Sequence, residues 1–286
     1  MLTKNLIVIV GPTAVGKTAL AIQLAKHFST EIISADSRQF FKEMNIGTAK
    51  PSLQELAEVP HHFIDSHSIN TFFSTGDFEM EALKLIADLH QKHDTLLMVG
   101  GSGLYVNAVC NGLDDLPETD LNIRAALKDK FEQEGIEEIR QQLAIADPEF
   151  YARVDQSNPQ RMIRGLEFYL STGEKLSSYQ THTKKDRPFN VIMIGLNTDR
   201  NKLYAQINHR VDLMMEAVLL AEVKELMPYK SLNALNTVGY SELFQYLEGA
   251  YTLEEAVAAI KQNTRRFAKR QLTWFRKDAD TAWFDP

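Results

Sequence analysis

The chain has 286 residues, 44% of them hydrophobic and 24% charged, and a formal net charge of −7. That length holds one large core or two smaller ones, in a composition typical of soluble globular proteins. The single cysteine, Cys110, excludes an internal disulfide framework, no apolar run is long enough to span a membrane, and the acidic balance argues against a general nucleic-acid binder while leaving room for a local basic patch. With no leader pattern at the start, these features point to the cytoplasm.

The first element is the apolar run Leu6 to Val10, which reads as a buried strand. It feeds Gly11-Pro12-Thr13-Ala14-Val15-Gly16-Lys17-Thr18 and then an apolar helical pattern from Ala19 to Ala25. Strand, glycine-bounded loop and helix stand in the order that a phosphate cradle requires. The glycines let backbone amides turn toward phosphate oxygens, and the helix start adds its positive dipole end. Lys17 brings a mobile charge to the terminal phosphate, and the Thr18 hydroxyl can ligate Mg²⁺. A di- or triphosphate is the expected ligand.

A second strand, Glu31 to Ala35, ends at Asp36-Ser37-Arg38-Gln39. Parallel α/β sheets place chemistry at the carboxyl ends of strands, so Asp36 is a candidate metal ligand or general base. It could equally cap the next helix. Gly47 to Pro51 reads as a polar loop, followed by a short strand around His62-Phe63-Ile64-Asp65. His61 and His62 would face opposite ways on a strand and read as structural. Asp77 to His90 carries Phe78, Ala82, Leu85, Ile86 and Leu89 at helical spacing, which predicts an amphipathic helix over the sheet. Thr95 to Val99 is a buried strand ending in Gly100-Gly101, where common nucleotide hydrolases carry a Mg²⁺-supporting aspartate.

After Leu116-Pro117 the pattern turns helical and acidic up to about residue 188. Within it, Asn158-Pro159-Gln160-Arg161-Met162-Ile163-Arg164 predicts a helix start with two arginines on one face. The expected organisation is therefore an α/β core over 1–117 and 189–286 and a helical insertion over 118–188. The core resumes with the strand Asn190 to Leu196, then a helix whose stripe runs through Ile207, Val211, Met214, Met215 and Val218. Arg210 in that helix is either a solvated arginine or a phosphate contact. Thr264 to Lys277 interleaves Arg265, Arg266, Lys269, Arg270, Arg276 and Lys277 with aromatics, which suits either nucleic-acid contact or a solvated helix face.

Taken together, these stretches resemble the tRNA dimethylallyltransferase family. The resemblance rests on the phosphate loop, Ser34 to Gln39, Ile46 to Pro51, His61 to Asp65, Val99 to Tyr105, Asn158 to Arg161, Val238-Gly239-Tyr240 and Thr264 to Phe275, in that order over nearly the whole chain. It implies a P-loop NTPase-like parallel sheet with a helical insertion and a helical C-terminal region. It also implies transfer of a dimethylallyl group from dimethylallyl diphosphate to the exocyclic amine of the adenosine beside the anticodon, with Mg²⁺ at Thr18 and Asp36. A monomer suffices for such chemistry.

By the same resemblance, Asp36 is the general base, and Thr13 and Arg210 contact the diphosphate with Lys17 and Thr18. Asp36, Ser37, Arg38 and Gln39 hold the flipped base and its neighbours. Ser102 and Arg124 are single tRNA contacts. Longer contact surfaces are Gln160, Arg161, Met162, Ile163 and Arg164; Asn236, Thr237, Val238, Gly239, Tyr240 and Ser241; and Thr264, Arg265, Arg266, Phe267, Ala268, Lys269, Arg270 and Gln271. Departures from the family pattern are Ser102 for threonine, Gly76 for a bulkier residue, Val218 for glycine and Ser241 for a basic residue. The competing reading is a P-loop kinase for a small acceptor, which would seat ATP in the same cradle. A nucleotide switch ranks third, because no Asn-Lys-x-Asp tetrad occurs.

Overall fold

A computed structural model describes residues 3–181 and 183–286. Six parallel strands form one sheet: β1 (Asn5–Val10), β2 (Ile32–Ser34), β3 (His61–His62), β4 (Thr95–Val99), β5 (Asn190–Leu196) and β6 (Ala282–Phe284). Their spatial order is β3-β2-β4-β1-β5-β6, with β1 central between β4 and β5. Strands β1 and β4 are apolar on both faces because helices cover both. Leu6, Val8 and Val10 face one core layer, and Ile7 and Ile9 face the other.

Four helices follow the early strands: α1 (Lys17–Phe28), α2 (Leu53–Glu58), α3 (Thr75–Leu89) and α4 (Gly103–Asn111). The predicted Asp77 to His90 helix is α3, which begins slightly earlier because Ser74 and Asp77 form a capping box. The predicted strand beyond His62 does not continue. Phe63 and Asp65 have φ of +60° and +52°, a left-handed conformation that ends any ladder. His62 Nε2 instead bonds the Glu31 carboxylate at 2.6 Å, and His61 Nδ1 bonds the Val59 carbonyl at 2.8 Å, so both histidines have structural partners.

The chain divides into two compact units, one running to Asn111 and resuming at Asp186, the other Gly112–Lys185. Among its described residues the second has five helices and no strand: α5 (Leu121–Glu134), α6 (Glu137–Ala146), α7 (Pro148–Arg153), α8 (Pro159–Thr172) and α9 (Leu176–Tyr179). It has its own core around Ile139, Leu143, Met162, Leu166 and Phe168. Its limits differ from the 118–188 read in the sequence because its two ends pair with each other. Thr181 donates from its amide and its hydroxyl to Asp114, and Lys185 bonds Asp115. This polar neck has no hydrophobic periodicity to betray it.

The first unit closes with α10 (Arg200–Glu216), α11 (Leu219–Leu226), α12 (Tyr240–Leu247) and α13 (Leu253–Phe275). Ile207 and Val211 are buried as the apolar stripe predicts, but Val218 lies beyond the end of α10 and is 62% exposed. No helix among the described residues is long and apolar enough to cross a membrane.

Candidate active site

The loop between β1 and α1 builds the site. Gly11 and Gly16 have φ of +141° and +99°, values that glycine reaches without strain. Gly11 is constrained a second time, since a Cβ there would collide with the Leu196 carbonyl oxygen of β5. Gly16 is the N-cap of α1 and offers no side chain to its amides. Among the described residues, the amides of Val15, Gly16, Lys17 and Thr18 have no protein partner. Free amides at a helix N-terminus, with the dipole behind them, are a ready anion seat.

Lys17 folds back on this loop, donating to the Gly11 and Pro12 carbonyls at 3.1 and 2.7 Å. Burial, reinforced by the Arg210 charge and opposed by Asp36, brings its pKa down to about 8. Arg210 enters from α10 and is likewise pushed down by burial, with Glu55 opposing. Two cations therefore converge, neither of them ion-paired among the described residues, which is the electrostatics of a polyanion site.

Asp36 lies just past the end of β2. Its Oδ1 accepts from the Arg38 amide at 2.9 Å and the Gln39 amide at 3.3 Å. No helix follows Asp36 before α2, so it caps a turn and not a helix: one oxygen holds the turn, and the other, Oδ2, has no protein partner among the described residues. Thr13 to Ala19, Asp36, Gln39, Thr48, Ala49, Glu55, Val99 to Gly101, Arg210, Phe267 and Gln271 line one cleft of about 220 Å³. The sequence reading missed Glu55 as a lining residue. Its Ser52-x-x-Glu55 capping box was legible, but its place beside Arg210 depends on how α2 packs.

The Gly100-Gly101 turn leaves no room for the aspartate of nucleotide hydrolases. A Cβ at Gly100 would strike the Ala35 carbonyl, and one at Gly101 the Gln271 side chain. Nor is there any cluster of three or more metal-ligating side chains among the described residues. Thr18 and Asp36 are among the side-chain oxygens that line the cleft, together with Thr13, Gln39, Thr48 and Glu55.

Several of the expected contact residues make hydrogen bonds within the protein. The Ser37 amide donates to Ser102 Oγ at 2.9 Å, tying the turn after β2 to the one after β4. Arg38 reaches the Ser37 and Asn233 carbonyls at 2.9 and 3.3 Å, which sets it beside the 236–241 turn. Gln39 spends its amide on the Thr48 and Ala49 carbonyls at 3.2 and 3.1 Å. Met162, Ile163, Tyr240, Ala268 and Gln271 are buried and Gly239 is enclosed. These residues belong to the packing behind a surface, because helical periodicity turns every third or fourth position of a contact stretch inward. Gln160, Arg161, Asn236, Arg266, Phe267, Lys269 and Arg270 are exposed, with Thr237, Val238, Ser241, Thr264 and Arg265 half-buried beside them. Arg265 bonds Asn208 at 2.6 Å and lies over the Tyr204 ring.

In the helical unit, Asn158 caps α8 by accepting from the Arg161 amide at 3.2 Å. Arg124 meets the fully buried Glu167 in two bonds, Nε at 2.8 Å and Nη2 at 3.0 Å. Arg164 Nη1 shares the same carboxylate at 3.1 Å. Two guanidiniums on one carboxylate leave a surplus positive charge on this face.

The family model described as IPP transferase matches residues 39–278. The chain belongs to the IPP transferase family. It is 53% identical over 284 residues to the tRNA dimethylallyltransferase of Christiangramia forsetii, covering 99% of this chain and 94% of that one. The full-length tRNA isopentenylpyrophosphate transferase of Bacillus halodurans superposes with a TM-score of 0.71 at 41% identity, covering 99% of this chain and 90% of that one. A eukaryotic dimethylallyltransferase acting on tRNA superposes with a TM-score of 0.80 at 30% identity, over 99% and 74% of the two chains.

Membership of the IPP transferase family gives the departures noted above a physical reading. Val218, where the resemblance expects glycine, sits at φ +64° as the N-cap of α11. A β-branched residue there is strained, and its exposed side chain returns little packing. Val218→Gly is expected to stabilise the fold by about 1 kcal/mol after glycine's greater unfolded-state entropy is deducted. Urea unfolding of the pair checks this, and a loss of stability would contradict it. A Cβ at Gly76 would meet only the Ser74 Oγ, at an ordinary contact distance of 3.6 Å, so a side chain can be added there without a clash at Cβ.

Proposed function

We propose that this chain transfers the dimethylallyl group of dimethylallyl diphosphate to the exocyclic amine of the adenosine 3′-adjacent to the anticodon, tRNA position 37, and releases diphosphate. The supporting observation is the division of one cleft into a cationic, amide-lined end and a carboxylate with a free oxygen. The bond that breaks joins carbon to oxygen, so charge develops on the departing diphosphate. Lys17, Arg210 and the amides of Val15 to Thr18 would stabilise that charge where it appears, the contribution that usually dominates catalysis. Thr13 frames the same seat.

Adenine's exocyclic amine is a weak nucleophile until it sheds a proton. Asp36 would take that proton on Oδ2 while its anchored Oδ1 keeps the carboxylate from turning away. Thr18, with Asp36 near it, would hold Mg²⁺, whose usual ligands are one or two protein oxygens completed by phosphate and water. The ion supplies further charge neutralisation on the leaving group.

The target base must leave its stack to enter such a cleft. Exposed Arg266, Lys269 and Arg270 on α13 would grip the backbone of the anticodon stem-loop, with Phe267 at the cleft edge offering a stacking surface. The helical unit would add Gln160, Arg161, Arg124 and Arg164. A single chain in the cytoplasm carries every group this scheme needs. Replacing both Arg266 and Arg270 with glutamine is expected to weaken tRNA binding and to reduce the slope of log affinity against log salt by about 1 to 2. Filter binding over a salt series measures both, and an unaltered slope would return this face to solvent.

The Lys17 pKa adds a pH dependence with a definite sign. A lysine of depressed pKa loses its charge as pH rises through about 8. Affinity of the tRNA-free chain for diphosphate is therefore expected to fall about tenfold per pH unit above that value. Calorimetric titration with inorganic diphosphate on either side of it decides the point, since a flat profile would mean the ammonium stays charged. The reading as a whole is tested by incubating the protein with dimethylallyl diphosphate, Mg²⁺ and unmodified tRNA. One C₅H₈ unit gained by the tRNA supports it. ATP turnover on a small acceptor, with the tRNA unchanged, would favour the kinase.

A further inference from the structure

The C-terminal helix α13 was expected to meet RNA along its whole basic stretch, yet Gln271 points away from solvent. It is 6% exposed, and both ends of its amide are engaged by the first unit. Its Oε1 accepts from the Thr13 amide at 2.8 Å. Its Nε2 donates to the Gly101 carbonyl at 3.0 Å. One side chain thus joins the phosphate loop after β1 to the glycine turn after β4, from a helix position 258 residues beyond Thr13 and 170 beyond Gly101 in sequence.

The chemistry of this bridge is narrow. It needs an acceptor and a donor a fixed distance apart, which glutamine supplies and glutamate, leucine and methionine do not. Its effect on the loop is directional. Gly11 and Pro12 turn their carbonyls to Lys17. Thr13 turns its amide the other way, to Gln271. The peptide units that follow, from Ala14 at φ +66° through Gly16 at +99°, then carry the unpartnered amides of the anion seat. The glycine at 101 completes the arrangement, because any Cβ there would displace the glutamine. Three residues further along α13, Trp274 packs on Gly103 in the same way, so one face of the helix is applied to the turn after β4.

We propose that Gln271 is a positioning residue for the phosphate loop, holding the Thr13 amide so that the amides after it face the diphosphate, and is not an RNA contact. The inference rests on the reading of the cleft as a diphosphate site. Because Gln271 shares a rigid helix with Arg266 and Arg270, the RNA-facing surface and the diphosphate seat are parts of one framework.

The test uses the full chain and inorganic diphosphate as the probe, with tRNA affinity measured separately. Gln271→Leu removes both bonds. Gln271→Glu keeps the acceptor for Thr13 but sets an anion against the Gly101 carbonyl. Both are expected to weaken diphosphate binding at least about tenfold, the cost of leaving a buried amide and carbonyl unpaired. KM for dimethylallyl diphosphate should rise in step, while kcat at saturation falls much less and tRNA affinity stays within about twofold. Gly101→Ala, which leaves Gln271 in place but pushes it off the turn, carries the same expectation should a Gln271 variant fail to fold.

Weaker tRNA binding with diphosphate affinity intact would overturn the proposal and make Gln271 an RNA contact. Diphosphate binding unaltered in all three variants would overturn it as well. If the wild-type chain itself binds no diphosphate, the reading of the cleft falls and the inference with it.

Discussion

Replacing Asp36 with asparagine is expected to slow prenyl transfer by on the order of 10²- to 10⁴-fold while leaving tRNA affinity within about twofold. The substitution separates the two roles of this side chain. Asparagine Oδ1 can still accept from the amides of Arg38 and Gln39, so the turn that carries Ser37 to Gln39 keeps its shape. What is lost is the second oxygen, the one with no protein partner. An amide nitrogen there cannot take a proton from adenine, and the acceptor stays a poor nucleophile. Single-turnover rates beside tRNA binding curves resolve the effect. Unchanged turnover would remove Asp36 from the proton-transfer step. A parallel loss of tRNA affinity would show that the carboxylate acts through the turn alone.

The second large effect concerns stability in the helical unit. Glu167 is fully buried and carries the charge of two arginines, Arg124 and Arg164, whose side chains are 27% and 35% exposed. Thr119 donates its hydroxyl to the same carboxylate. Glu167→Ala would leave two guanidiniums side by side with no counter-charge and a cavity beneath them. Removing one partner of a buried pair typically costs 3–5 kcal/mol. Partial exposure of both arginines lets water screen them, so the expected loss is near the lower end, about 3 kcal/mol. Both tryptophans, Trp274 and Trp283, lie in the other unit, so their fluorescence would miss the change. Hydrogen exchange in α5 and α8 would register it. The same variant is expected to weaken tRNA binding, because the arginines lose the group that aims them. Exchange rates equal to wild type would mean the cluster is dispensable.

Much of this was legible in the residues, and what was not has identifiable physical causes. The phosphate loop could be read because glycine, lysine and threonine are each required by backbone geometry or charge at fixed spacing. The helix α3 could be read because its capping box and apolar period agree. The burial of Gln271 was not legible. A glutamine inside a basic helical stretch carries no mark of the face it will occupy, and its partners at Thr13 and Gly101 are remote in sequence. Arg124 was identified as a nucleic-acid contact without its partner, since Glu167 lies on another helix. The early end of β3 depends on left-handed residues, Phe63 and Asp65, whose side chains give no warning of that conformation. Val218 is the converse case: its departure from an expected glycine marked a strained position that periodicity had assigned to the apolar stripe.

The central claim is that the cradled group leaves as intact diphosphate while its carbon chain passes to one adenine. The most direct measurement is a single-turnover reaction of dimethylallyl diphosphate, labelled in the prenyl chain, with unmodified tRNA, in which released diphosphate and labelled nucleoside are counted together. One diphosphate per labelled adenosine is expected, with all label at the position 3′ of the anticodon. Release of inorganic phosphate without label in the tRNA, or label spread over other nucleosides, would contradict it.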